Sequence, residues 1–166
     1  NVGSANGSFH NGGGRDYGID QIVGLDKIGS EYIFVKGDGE NGWENVLLVA
    51  HENNTTVNIN GNGVTNTINA GEYLLIEGNA FNTNGNMFVE TSKPVFAYQG
   101  IGATTSEANQ GLFFVPPLSC ENRGKVDNIP TIESIGNVVF SGGVTIVTNT
   151  GVAVTVNSQP IANFNT

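Results

Sequence analysis

Residues 37 to 44 read Gly-Asp-Gly-Glu-Asn-Gly-Trp-Glu, a stretch that sets hard oxygen donors among glycines. Asp38, Glu40, Asn41 and Glu44 could hold Ca2+, a cation that takes its ligands from carboxylates and amide carbonyls. Asp16, Asp20 and Asp26, in the neighbouring loop, could add to them. The spacing is not that of an EF-hand loop, and a solvated hairpin is the competing reading. Residues 37–42 also match G-x-G-x-x-G, but the run that follows, Trp-Glu-Asn-Val-Leu-Leu-Val-Ala, is patterned as a strand. No helix N-terminus is then available for a pyrophosphate, and the acidic side chains would repel it. Trp43 is the aromatic placed to stack on a sugar ring, with the same polar residues around it. Tyr32, Tyr73 and Tyr98 sit inside apolar runs and are predicted to pack in a core.

Nucleophilic chemistry finds little support. His51 follows Val-Leu-Leu-Val-Ala next to Glu52, and His10 lies in a glycine-rich arm; no G-x-S-x-G turn presents a serine to either. Cys120 is the single cysteine, so an internal disulfide is excluded, and it reads as a buried thiol or one bridged to a cysteine outside this sequence. Glu72, Glu77 and Glu90 flank strands, where facing solvent is the default for a carboxylate. The predicted set of catalytic residues is empty.

The elements that must carry these residues are strands. Asn and Gly number 24 each among 166 residues, and only 13% of residues are charged. The apolar content is carried by Val, Ile, Thr, Phe and Tyr, which suit pleated sheets. Short runs such as EYIFVKG, NVLLVAH, TTVNIN, VTNTIN, EYLLIEG, NMFVET and PVFAYQG are each bounded by Gly, Asn or Asp. The strongest turn is Asn60-Gly61-Asn62-Gly63, because Asn and Gly tolerate the positive φ of a tight hairpin. An all-β chain of antiparallel β-sandwich modules is predicted, with a small β-propeller-like repeat as the alternative. Val57, Ile59, Val64 and Ile68 are expected to line one core with Leu47, Val49, Leu74 and Phe96. The formal charge of −9 opposes nucleic acid and anionic membrane surfaces, and no apolar run is long enough for a spanning helix.

Four segments follow. Residues 1–18 form a glycine-rich arm, 19–102 a first β-module, 103–135 an irregular connector, and 136–166 the start of a second, incomplete module. The second module rests on an internal repeat: Val46 aligns with Val144, Val49 with Val147, and Thr56-Val57-Asn58 with Thr155-Val156-Asn157. An incomplete module would leave a sheet edge unpaired, and the arm could bring Ile19, Ile22 and Val23 of a neighbouring copy to it. Head-to-tail assembly into fibres is the expectation.

Read in order, GSEYIFVKG, ENVLLVAHENNTTVNING, INAGEYLLIEG, TSKPVFAYQGIG and GLFFVPPLS make a pattern. It resembles the IgGFc-binding-protein N-terminal domain family as it occurs in secreted surface proteins of Bacteroidetes, especially flavobacteria, over roughly residues 20–161. The resemblance implies an extracellular, bacterial cell-surface location and a role in adhesion or extracellular structure. Expected partners are other copies of the chain, neighbouring modules of the same protein, or surface glycans. A non-enzymatic structural or adhesive repeat module is the leading expectation, and an extracellular carbohydrate-binding module the alternative.

Overall fold

The computed structural model describes residues 4–7, 18–37, 39–101, 111–119, 124, 129, 134–139 and 144–161. The chain divides into two units, Asn1–Leu118 and Ser119–Thr166. The first holds strands β1 (Ser4–Gly7), β2 (Gly18–Gln21), β3 (Gly29–Val35), β4 (Asn45–Ala50), β5 (Thr55–Ile59), β6 (Val64–Ile68), β7 (Tyr73–Glu77), β8 (Asn86–Ile101) and β9 (Gly111–Phe114). Every pairing is antiparallel, and β3 to β9 form one sheet of seven strands. The all-β, antiparallel expectation holds. The sheet is curled about one long strand and is not a set of separate blades around a channel.

That strand is β8, 16 residues long. Its first half pairs with β3 on one edge and β5 on the other; its second half pairs with β4 and β9. The halves meet at a bulge, where Gly29 pairs with Val95 but Glu31 pairs with Glu90, so Thr91 to Pro94 stand opposite Ser30 alone. A bulge bends the strand and increases its twist, and it is one of the few places within a sheet where proline is tolerated. Thr91 is buried there, and its hydroxyl lies 2.8 Å from the Lys93 carbonyl and 3.3 Å from that of Ser30. The bend turns the two halves toward each other, with a single core between them.

Tyr32, Phe34, Val46, Leu48, Ala50, Val57, Ile68, Ile76, Met87, Val89, Val95, Ala97 and Val115 make up that core. Burying each of the larger side chains stabilises the fold by about 1.5–3 kcal/mol. Tyr32 also pins the bend: its hydroxyl accepts the Gly29 N–H at 2.9 Å and donates to the Val95 carbonyl at 2.6 Å. A smaller cluster, Leu47, Tyr98 and Leu112 with Val49, Leu75, Phe96 and Phe114, lies on the opposite face of the second half-sheet.

The predicted core is therefore split. Val57 and Ile68 are buried in the main cluster, with Ile59 and Leu74 half-buried against it, whereas Leu47, Val49 and Phe96 belong to the outer face. Val64 is 65% exposed. The register of β5 with β6 slips between Val57 and Asn58, which moves Val64 off the core side at the hairpin tip. Gly111–Phe114, inside the stretch read as connector, forms a strand of the main sheet.

The second unit contains β10 (Ser134–Ile135), β11 (Val138–Val139), β12 (Thr155–Val156) and β13 (Gln159–Pro160), which pair as two separate hairpins. Val138, Val139, Val144, Ile146, Val147, Val152 and Val156 are all exposed.

Candidate functional site

The acidic loop between β3 and β4 is closed from the inside. Glu44 is fully buried, and its carboxylate accepts the N–H groups of Gly39 at 2.9 Å and Gly37 at 3.2 Å. Asn41 Oδ1 accepts from Lys36 Nζ at 2.8 Å, which puts an ammonium where a metal ligand was expected to face a cation. Trp43 is half-buried and its backbone N–H donates to the Glu40 carbonyl. Asp20 Oδ2 accepts the Phe114 N–H, and Asp26 pairs with Lys27 at 2.9 Å, whose ammonium holds the Asp26 carboxyl below the ordinary carboxylate range. Among the described residues, no group of three or more His, Cys, Asp or Glu side chains gathers to hold a metal ion. Asp16, Asp38, His10 and Cys120 lie outside the described residues.

Three short motifs meet at the opposite end of the same strands. They are Ala50-His51-Glu52-Asn53-Asn54-Thr55-Thr56-Val57 between β4 and β5, Ala70-Gly71-Glu72 before β7, and Lys93-Pro94-Val95 at the bend of β8. The first two turns bond reciprocally: Gly71 N–H donates to the Ala50 carbonyl, Ala50 N–H to that of Glu72, Ala70 N–H to Asn53 Oδ1, and Asn54 N–H to Asn69 Oδ1. Asn54 and Gly71 both take positive φ, 57° and 83°, a conformation open to Asn and Gly. Lys93 closes the third side, donating to the Asn53 carbonyl at 2.6 Å and lying 3.8 Å from the Glu52 carboxylate. His51 Nε2 is 3.7 Å from the other oxygen of Glu52. Short parts of three of the strings that carry the family resemblance thus form one polar clasp, its backbone held by asparagine side chains.

Beside the clasp lies the outer face of the second half-sheet, arranged in cross-strand rows. Tyr73, Val49 and Phe96 stand opposite one another on β7, β4 and β8. The next row is Leu75, Leu47, Tyr98 and Phe114, and the third is Glu77, Asn45, Gly100 and Leu112. Exposure falls across the rows: Tyr73 is 67% exposed, Val49 and Phe96 are half-buried, and Leu47, Tyr98 and Leu112 are buried. Burial, and then the negative charge of Asp20, push the Tyr98 hydroxyl above its ordinary value. Asn45 is buried with neither amide atom hydrogen-bonded.

Tyr73 is the correction that matters for function, because it was predicted to be core. It is the first residue of its strand, on the face that Leu75 shares, and the turn at Gly71 leaves its ring beyond the cover that the later rows receive. The signal was the position of Ala-Gly-Glu directly before it. Glu72 and Glu90 face solvent as expected, and Glu77 is half-buried. Of the residues expected to reach another copy, Ile19 lies in β2 opposite Asn6 of β1, Ile22 is 44% exposed and Val23 is half-buried.

No helix among the described residues is long and apolar enough to cross a membrane. Neither the curated proteins nor the solved structures contain a match to this chain. One family profile does match, described as IgGFc binding protein, and it covers residues 2–166. By a match over nearly its whole length, the chain belongs to the IgGFc-binding protein family, a family of binding domains that are typically extracellular.

Proposed function

We propose that this chain is a non-enzymatic adhesive module of an extracellular protein on a bacterial surface, and that it grips a protein partner with the row Tyr73, Val49 and Phe96. The observation that carries the reading is the 67% exposed Tyr73 ring at the head of an apolar row, beside the polar clasp. Tyrosine brings large, rigid, amphipathic contact area at low entropic cost, which is why it is enriched in protein interfaces. The clasp contributes exposed Asn, Glu and Lys groups at the rim, and rigid backbone beneath them. Low charge and an Asn- and Gly-rich surface suit a durable extracellular module.

Glycan binding is the second reading, and the same ring suits it better than the half-buried Trp43: an exposed aromatic face next in sequence to the exposed Glu72 has the chemistry of a sugar platform. Bound calcium at the acidic loop would have to compete with the Lys36 ammonium at Asn41. Head-to-tail fibre growth through Ile19, Ile22 and Val23 would have to use the edge of β2 that faces away from β1.

The test is retention of beads carrying the chain on surfaces coated with IgG Fc fragment, with mucin, or with a glycan array. Retention on a protein coat that falls at least about tenfold in Tyr73→Ser, with an unchanged melting curve, supports the reading; about tenfold corresponds to losing one interface contact of 1.4 kcal/mol. Retention that Tyr73→Ser leaves unchanged overturns it. Retention confined to glycans and lost in the same variant moves the assignment to the second reading.

A further inference from the structure

The last charged residue of the sequence is Glu133, so residues 134–166 carry no Asp, Glu, Lys, Arg or His. Within that stretch β12 and β13 are joined by Asn157-Ser158, both at positive φ, 50° and 63°, a two-residue turn of the I′ kind. Ile161 N–H donates to the Val154 carbonyl at 2.9 Å, which places the backbone groups of Val154 on the side of β13. Antiparallel alternation then turns the N–H and C=O of Ala153 and Thr155 toward the other edge. No described strand pairs with that edge.

The two edges of this hairpin are not equivalent. Pro160 lies in β13 and has no N–H, which blunts that side against further strands. The β12 side has neither proline nor charge, the devices by which natural sheets protect an edge. Val152 and Val156 are 47% and 46% exposed, and a lone two-stranded hairpin is marginal in water. The segment also matches itself. Residues 152–156 read Val-Ala-Val-Thr-Val, so an antiparallel copy centred on Val154 sets valine against valine and alanine against threonine.

We propose that two copies of this chain join along residues 152–156, antiparallel about a two-fold axis at Val154. Ala153 and Thr155 of each copy exchange backbone hydrogen bonds with Thr155 and Ala153 of the other, Val154 faces Val154, and Val152 faces Val156. The product is a four-stranded sheet, β13–β12 continued by β12–β13 of the second copy, with six valines on one face. A second copy is the occupant because the match is with the segment itself, and because a charge-free edge avoids the repulsion that a formal charge of −9 imposes elsewhere between copies. The interface is isologous, so it closes at two and does not propagate. It does not depend on the Tyr73 row, and either can fail alone.

Light scattering on the eluted full chain is the test, with Val154→Lys and Val154→Glu as variants. The wild type should elute with twice the 17.4 kDa mass at micromolar concentration. Each variant alone should be monomeric, since like charges would meet at the axis, and mixing the two should restore the dimer as a mixed pair. Both substitutions fall in the second unit and touch none of the core residues of the first, so the melting transition of the first unit serves as the folding control. A monomeric wild type, a dimer that survives Val154→Lys, or variants that fail to recombine would each overturn the proposal.

Discussion

Glu44 shows why an acidic residue in a loop is not evidence of a cation. Its carboxylate is buried and bonded to the amides of Gly37 and Gly39, so its role is to close the turn ahead of β4. Glu44→Gln keeps the shape but replaces charge-assisted acceptors with one weaker carbonyl, and a loss of about 1–3 kcal/mol is expected in a denaturant titration. The neighbouring Asn45 should behave in the opposite way. Its amide is buried without partners, so Asn45→Leu, of similar volume, should leave stability unchanged or raise it; a loss above about 1 kcal/mol would mean that the amide is satisfied in solution. Tyr32 supplies a pH dependence. Burial pushes its hydroxyl from 10 up to about 12, so above pH 10 the unfolded chain gives up this proton before the folded one. The stabilisation is present in full below pH 10 and is lost as pH rises through about 12. Thermal melts across that window should fall less steeply in Tyr32→Phe than in the wild type, and parallel slopes would contradict the assignment.

At the scale of elements, the central fact is that β8 is shared by both halves of the sheet. Its residues 87, 89, 91, 95, 97 and 99 all face inward or are buried, because the bulge at Thr91–Pro94 keeps the same parity on both sides of the bend. A strand that joins two half-sheets in this way ties their stabilities together. Leu48, on β4 and fully buried between them, should cost about 2–5 kcal/mol when changed to Ala, whereas Val64→Ala at the hairpin tip should stay within about 0.5 kcal/mol. Chemical denaturation of the two variants checks the β5–β6 register directly. Equal losses would show that Val64 turns inward.

For the whole molecule, the two units differ in what holds them. The first has a continuous core, and the second leaves Val138, Val139, Val144, Ile146, Val147, Val152 and Val156 exposed. Residues 1–118 expressed alone should therefore fold with the melting transition of the full chain, as read by circular dichroism. A transition lowered by more than about 5 °C would show that the second unit supports the first. Two residues aligned in the sequence make the same contrast. Val57 is fully buried and Val156 is 46% exposed: β8 and β6 flank β5, while among the described strands β12 pairs with β13 alone.

Composition and turn chemistry were enough to read an all-β antiparallel chain, the Asn-Gly hairpin, most strand positions and the family, since those follow from local propensity and from strings of adjacent residues. The burial of Tyr32 and Tyr98 was legible for the same reason. What the tertiary structure alone decided was the side on which each residue falls. The register slip in β5–β6 moved Val64 off the core side, because a shift of one residue reverses the face of a strand, and Leu47, Val49 and Phe96 sit in nearly continuous apolar runs whose outer and inner sides only the strand pairing separates. The binding row has the same origin: Tyr73, Val49 and Phe96 come from three strands separated in sequence, and only their pairing brings them into line.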